Sequence, residues 1–370
     1  MSFDELIGHL YRALFARHPS PRSLFPASME FQRAHLARAL RYLIEHLDQP
    51  DAIVETFTRL GRDHRGLGLL PAQYAAFETA LSEALRVQAG PRWTAELGQA
   101  WLRMLRFGVT APVRGAEAAP REPPFWRATV TSHRLLAPDL TLLRLRRHET
   151  FRHRAGQYVA RESPRLPRTW RPYDPAGAPG TRGDIEFHVR RTGPGGVSDA
   201  LVSGTAAGDE VRVGPPRGNL ALDDAADGEL RLVAWDTGWA AMKALLQELD
   251  HRLRSAPRHQ ARPVRRHLGA ETPADLYDTD HLTELERRHP WLTVVPVVDT
   301  SPERARDRTA EALTRGPAPA AGRTLMAGPP AVVHALAAAL VHAGLPPEHL
   351  RHDLPPTGPG PARGGPGLPV

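Results

Sequence analysis

The sequence predicts a multidomain chain: an all-α segment, then an antiparallel β-barrel, then an α/β segment built on a parallel sheet. Three observations carry this. Apolar residues recur at helical spacing from Asp4 to about Phe107, alternate with polar residues from Trp126 onward, and after Glu229 fall into strands that alternate with helices. At ~100–200 residues per domain, 370 residues suit two or three domains. The expected boundaries are 1–110, a linker at 111–124, 125–226, 227–354 and a Pro/Gly-rich tail at 355–370, read as disordered.

In the first segment Leu6, Leu10 and Leu14, then Leu36, Leu40 and Leu43, then Phe57 and Leu60 mark amphipathic helices. Prolines 19, 21, 26, 50, 71 and 91 punctuate them. Pro71 suits a first helical turn, where its missing N–H costs nothing, and starts a run through Leu85. Thr94 is placed to cap a helix through Leu105. In the barrel segment Trp126, Ala128 and Val130 alternate with polar residues, as do Ile185, Phe187 and Val189 with Glu186, His188 and Arg190. The third segment reads as strands at Leu230–Trp235, Val264–Leu268, Trp291–Val298 and Arg323–Ala327, with a helix near Ala240–Leu253 after the first.

Composition excludes several classes. Hydrophobic residues make up 41% and charged residues 24%, while Gly and Pro together number 68, below the ~25–30% of a disordered chain. The longest apolar stretch, Ala335–Val341, falls short of the ~20 residues a membrane span needs. Asp4 and Glu5 stand where a secretory signal carries basic residues, so a cytoplasmic location is expected. Cysteine is absent, which removes disulfides, thiolate nucleophiles and cysteine-held metal or iron–sulfur centres. The charge of +7 comes from 48 basic residues, of which Lys243 alone is lysine. No basic cluster with interleaved aromatics points to nucleic acid.

"LYRALFARHPSPRSLFP", "FQRAHL" and "LGRDHRGLGLLPAQY" together resemble the globin domain of bacterial flavohaemoglobins, over most of residues 3–108. The resemblance implies His64 as proximal ligand of haem b, Phe25 packed on the haem face, and Tyr11 and Gln32 as the distal pair facing bound dioxygen. A neutral imidazole leaves the opposite iron face open, and distal donors stabilise negative charge on iron-bound dioxygen. Tyr74 matches a family tyrosine that, with a glutamate, supports the proximal histidine; Glu117 is the nearest candidate for that glutamate. By spacing alone, Tyr11, Phe25 and Tyr74 suit ordinary helix packing. Family members also carry a helix before the position of Asp4, so a less stable haem pocket is expected here.

"AGQYV" at 155–159, "RPYD" at 171–174 and "PGGVSDALV" at 194–202 resemble the flavin domain of ferredoxin-reductase-like enzymes in order and spacing. The resemblance implies FAD, with Tyr158 in the first motif, Arg171 on the pyrophosphate, Tyr173 against the isoalloxazine, and Gly196, Val197 and Ser198 offering N–H groups to phosphate. Asp174 stands where a serine or threonine is usual. An ionised carboxylate only accepts hydrogen bonds, so weaker flavin binding or a lowered flavin potential is expected. "GPPRGNLALD" fits the family closely.

"LVAWDTGWAAMKALL" takes the place of the glycine-rich turn that holds the phosphates of NAD(P)H in a Rossmann-like domain, where glycines let the backbone approach the pyrophosphate. Gly238 is retained, as are Gly328 and Pro329 in "MAGPPAVV". Asp236 replaces a glycine, Trp235 and Trp239 flank the turn, Ala240 replaces a hydroxyl residue, and Ala327 holds a position often taken by cysteine. "LRHDLPP" lacks the aromatic that stacks on the flavin in many relatives. The expectation is a damaged nucleotide site, in which the Asp236 carboxylate repels phosphate and the Trp239 ring holds the dinucleotide off.

Taken together, the resemblance implies an oxidoreductase that passes electrons from NAD(P)H through FAD to haem and converts nitric oxide to nitrate with dioxygen. The alternative is a haem-binding globin that stores or senses a diatomic ligand, its reductase module non-catalytic.

Overall fold

The computed structural model describes residues 3–18, 29–54, 56–57, 71–104, 106, 123, 125–167, 169–179, 184–222, 228–255, 263–314 and 322–353. Met1–Phe125 with Leu166–Thr169 and Gly358–Val370 form one unit, the helical unit; Trp126–Arg165 with Trp170–Thr357 form a second.

In the helical unit the helices Phe3–Arg17, Glu30–Glu45 and Pro71–Ala89 turn their apolar stripes onto a common core. Leu6, Ile7, Leu10, Tyr11 and Leu14 pack with Leu40, Ala80, Leu81, Ala84 and Leu85, and Trp93 and Trp101 close over them. Thr94 does cap the next helical run, its Oγ1 accepting the Leu97 N–H at 3.1 Å. Leu43, Ile53 and Phe57 form a smaller cluster.

The second unit contains an antiparallel sheet and a parallel one. Strands β1 (Trp126–Ala137), β2 (Leu140–Arg147), β3 (Tyr158–Glu162), β4 (Trp170–Tyr173), β5 (Asp184–Arg190) and β6 (Glu210–Arg217) pair in the order β4-β3-β6-β1-β2-β5. A bridge between Pro175 and Phe187 brings the β4 edge to β5 and closes the barrel. Its interior takes the inward-alternating residues Ala128, Val130, Leu143, Leu145, Val159, Ile185, Phe187, Val189, Val211 and Val213, all under 5% exposed.

The parallel sheet orders β11 (Leu350–His352), β10 (Arg323–Ala327), β7 (Leu230–Trp235), β8 (Val264–Ala270) and β9 (Leu292–Val298) as β11-β10-β7-β8-β9. All six residues of β7 are buried, as expected of a central strand covered on both faces. The expected β7 and β10 match residue for residue, and the expected helix extends over Trp239–Ser255. The helices Thr279–Arg288 and Pro302–Thr314 were not anticipated. Each carries few apolar residues; Leu282 and Leu285 alone bury the first. Among the described residues no helix is long and apolar enough to cross a membrane.

Candidate functional site

Tyr11 and Gln32 belong to the helical unit. Tyr11 is 7% exposed and stacks on Phe15 with centroids 5.6 Å apart. Burial pushes its hydroxyl well above the usual phenol range, against a weaker opposing pull from Arg33, so it stays protonated and able to donate. Gln32 sits one turn into Glu30–Glu45, and its buried Oε1 meets no hydrogen-bond partner among the described residues. An unmet buried polar atom costs ~1–3 kcal/mol, and its persistence marks a place where an absent group completes the bonding. The protonated Tyr11 hydroxyl is a donor that fits a haem with a polar distal side, while the unmet Gln32 atom is an acceptor. Tyr74 lies in the first turn of Pro71–Ala89; His64, Phe25 and Glu117 lie outside the described residues.

On the barrel, β4 carries Arg171 and Tyr173. The β3–β4 register sets Arg161 opposite Arg171 and Val159 opposite Tyr173, so all four occupy one face of the ribbon. Arg171 Nη1 donates to the Trp170 carbonyl at 2.9 Å. Burial lifts the Tyr173 hydroxyl to about 12, with Arg161 and Arg171 opposing. Tyr158 opens β3 opposite Arg217, its ring against Gly218, whose φ is +94°. Arg161 is fully buried and none of its guanidinium nitrogens has a hydrogen-bond partner among the described residues. A half-buried Arg171, backed by a buried Arg161 that lacks any acceptor among the described residues, fits an anionic nucleotide such as FAD.

Asp174 corrects one expectation. Burial, helped by the nearby Asp353 carboxylate, lifts its pKa to about 7 rather than leaving it fully ionised. Around neutral pH a large fraction is protonated and can donate a hydrogen bond, as a serine or threonine would. Asp353 itself is held by the Leu220 N–H at 2.8 Å. At the phosphate-binding turn, Gly196 precedes the short helix Val197–Ser203. Val197 is buried, and Ser198 Oγ is engaged by the Thr192 N–H at 3.1 Å and the Thr192 hydroxyl at 3.0 Å.

In the parallel sheet the strand order reverses between β7 and β10, the switch point at which open α/β sheets take ligands. Gly238 and Gly328 sit there. A Cβ on Gly238 would strike the Ala327 carbonyl and the Gly328 nitrogen, and one on Gly328 would lie 2.8 Å from the Trp235 Cβ. Pro329 starts the helix Pro330–His342. Asp236 keeps the left-handed backbone of the glycine it replaces, with φ +52°.

The side chains of this turn do not do what the sequence led one to expect. Asp236 Oδ1 is bound by Arg190 Nε at 2.6 Å, so its charge is met by a guanidinium rather than left bare. Trp239 is 1% exposed and sits in the core beneath Arg266, whose Cζ lies 3.6 Å from its ring centroid. Its ring cannot hold a dinucleotide away from the turn. Trp235 is likewise buried, at 5% exposed, its indole lying directly over Gly269 at the carboxyl end of β8.

Sequence reasoning missed the polar seam on β5. Arg190 reaches Asp236, Asp139 at 2.8 Å and Asp275 at 3.5 Å. Lys243 Nζ bridges Glu186 at 3.0 Å and Asp278 at 2.9 Å, and Asp278 also accepts the Trp239 Nε1–H at 3.0 Å. Glu186 would be pushed up by burial, but the His188 hydrogen bond and the Lys243 ammonium hold it well below the carboxylate range. His188 contacts Glu186 at 3.1 Å through Nε2 and the Tyr277 hydroxyl at 3.0 Å through Nδ1. A carboxylate accepts only, so Nε2 carries the proton; burial keeps the ring neutral and Nδ1 accepts from Tyr277. A lone lysine inside the apolar run "WAAMKALL" was the available clue.

A globin family model matches residues 8–111, and an oxidoreductase FAD-binding domain model matches residues 127–222. The chain is 29% identical to a flavohemoprotein of Bordetella pertussis over 67% of each sequence. It is also 29% identical to the ferredoxin–NAD(P)(+) reductase component of the naphthalene 1,2-dioxygenase system of Pseudomonas putida, over 61% of this chain and 68% of that one. In structure it matches a flavohemoglobin of Malassezia yamatoensis with a TM-score of 0.74 at 15% identity, covering 95% of this chain and 94% of the other. Both parts of the flavohaemoglobin pattern are therefore present in order, a globin match followed by an FAD-binding oxidoreductase match. Two of the departures from the pattern its motifs resemble bear on stability, Asp174 beside the flavin motif and Trp235 at the nucleotide turn.

Each has a measurable consequence. Gly269→Ala is expected to destabilise the protein by ~1–3 kcal/mol through overpacking against the Trp235 indole. Urea denaturation should give a much smaller cost for the same change on a Trp235→Ala background, and equal costs would show that the two do not touch. Asp174 titrates near 7 when folded and near the ordinary carboxyl value when unfolded, so the native state binds the extra proton between about pH 4 and 7. Stability from this residue therefore falls as pH rises through that window. Asp174→Asn should gain stability relative to wild type across it, which thermal melts at pH 4, 5.5 and 7 check.

Proposed function

We propose that the chain is an NAD(P)H-dependent oxidoreductase that passes electrons through FAD to haem and converts nitric oxide to nitrate. Nitric oxide, dioxygen and one electron together balance to nitrate. The reading is carried by one observation, the presence in a single chain of a globin match and an FAD-binding match, the latter with Arg171 and Tyr173 on one strand. Dioxygen and nitric oxide are its small ligands, and the location is cytoplasmic.

When bound, haem supplies iron for dioxygen, and FAD supplies a two-electron store between a hydride donor and a one-electron acceptor. The chain's residues do the rest. Tyr11 would offer its hydroxyl, and Gln32 its amide, to a ligand of the haem; His64 would ligate the iron, with Phe25 packing on the cofactor and Tyr74 and Glu117 supporting the imidazole. Arg171 grips the flavin diphosphate with a charge-assisted contact, Tyr173 packs on the ring system, Tyr158 lines the site, and Gly196 to Ser198 present main-chain N–H groups to phosphate. Asp174, when protonated, donates at the flavin edge. Gly238, Gly328 and Pro329 keep the nucleotide turn tight enough for a dinucleotide's backbone contacts.

A second reading, a haem globin that stores or senses a diatomic ligand with a non-catalytic reductase module, is favoured by Asp236, a carboxylate standing at a left-handed position of the nucleotide turn. An absorption spectrum of the purified full chain, taken before and after anaerobic NADH, separates the two. The enzyme reading expects a Soret band, a flavin band that bleaches on NADH addition, and then haem reduction; the second expects a Soret band with no bleaching.

Two substitutions test the residues. His64→Ala is expected to lose the Soret band after haem reconstitution, and an unchanged band would remove His64 as ligand. Arg171→Ala is expected to weaken FAD binding at least tenfold in a fluorescence titration, since one lost charge-assisted contact is worth ~1.5–3 kcal/mol. Equal affinity would place the flavin elsewhere.

A further inference from the structure

Arg161 has no counterpart in the charge bookkeeping of the barrel. It is fully buried, and Nε, Nη1 and Nη2 all lack hydrogen-bond partners among the described residues. Two aromatic rings face it instead, Phe187 with its centroid 4.4 Å from Cζ and Tyr173 at 5.7 Å. Burial pulls its pKa down to about 10, which still leaves it charged at neutral pH. Across the ribbon it stands opposite Arg171, and like charges in directly opposed positions repel. An uncompensated charge inside a protein is strongly destabilising. A chain that keeps one there, on the face shared with Tyr173 and Arg171, retains a positive potential aimed at whatever binds that face.

We propose that Arg161 tunes the flavin held against Tyr173, its fixed positive charge behind that ring favouring the reduced cofactor and raising the reduction potential. The inference rests on the FAD reading above. Hydride from NAD(P)H brings two electrons and one proton to the flavin ring, leaving NAD(P)+ and a ring one unit more negative. A cation in a low-dielectric interior stabilises that added charge far more than a solvated one does. Arg161 acts through Tyr173 and is a positioning residue. Asp174, the residue after Tyr173, works in the opposite sense whenever it is ionised.

The test is a spectroelectrochemical titration of the flavin in the full-chain holoprotein. Arg161→Met is expected to reduce the preference for reduced over oxidised flavin at least tenfold, a downward shift of about 30 mV for a two-electron couple. Arg161→Lys should retain most of the wild-type potential. Replacing an unpaired buried cation by an apolar side chain of similar volume does not weaken a fold, so the Arg161→Met melting temperature should equal or exceed wild type. Less than a twofold change in that preference overturns the proposal. So does an Arg161→Met protein that melts well below wild type or fails to fold, because the cation would then have a partner within the barrel. A wild-type protein that binds no FAD fails the earlier functional reading instead.

Discussion

Much of the β-rich unit depends on strand β5 having two faces of unlike chemistry. Period-two alternation sends Ile185, Phe187 and Val189 into the barrel and leaves Glu186, His188 and Arg190 on the other side. That second face is bonded to the α/β part through Lys243, Tyr277 and Asp236. One strand thus belongs to an apolar core and to an ionic seam at the same time. Coulomb attraction there is paired on both sides, which matters because removing one partner of a buried ion pair typically costs ~3–5 kcal/mol while the intact pair adds little net stability. The seam specifies geometry more than it contributes energy. It fixes where the turn after β7 stands relative to the barrel strand that faces it.

The architecture was legible because its signals are periodic. Helical spacing at Leu6, Leu10 and Leu14 and the all-apolar run at β7 each report how a segment is buried, and burial is what the fold obeys. The helix Thr279–Arg288 escaped for the same reason: two leucines in a charged segment leave little periodicity to read. On β5 the alternation gave the inward face correctly. It could not say that the outward face is covered, because a polar residue meeting water and one meeting an ion partner look alike in sequence. Lys243 lies 57 residues from Glu186, and no local pattern links them.

The turn after β7 shows what motif comparison can and cannot deliver. Reading it against a glycine-rich pattern identifies what has been lost, but the direction of each replacement side chain is set by distant neighbours. Gly269 leaves room for the Trp235 indole. Arg190, 46 residues before Asp236, supplies the cation that turns its carboxylate aside. Trp239 finds a stacking partner in Arg266, which itself has no hydrogen bond among the described residues. These are compensated changes, each with its complement elsewhere in the chain. Arg161 was equally hidden, since an arginine at an inward alternating position contradicts the pattern that would have flagged it.

Lys243 has a practical consequence of its own. With one lysine in 370 residues, and that one 7% exposed, amine chemistry on the native chain is confined almost entirely to the α-amino terminus. Acylating dyes and cross-linkers would label a single end. A lysine-specific protease would have one cleavable bond, hidden in the seam between β5 and the helix Trp239–Ser255. Cutting at that bond would report every opening, local or global, that frees this seam, a native clock for unfolding that needs no engineered label.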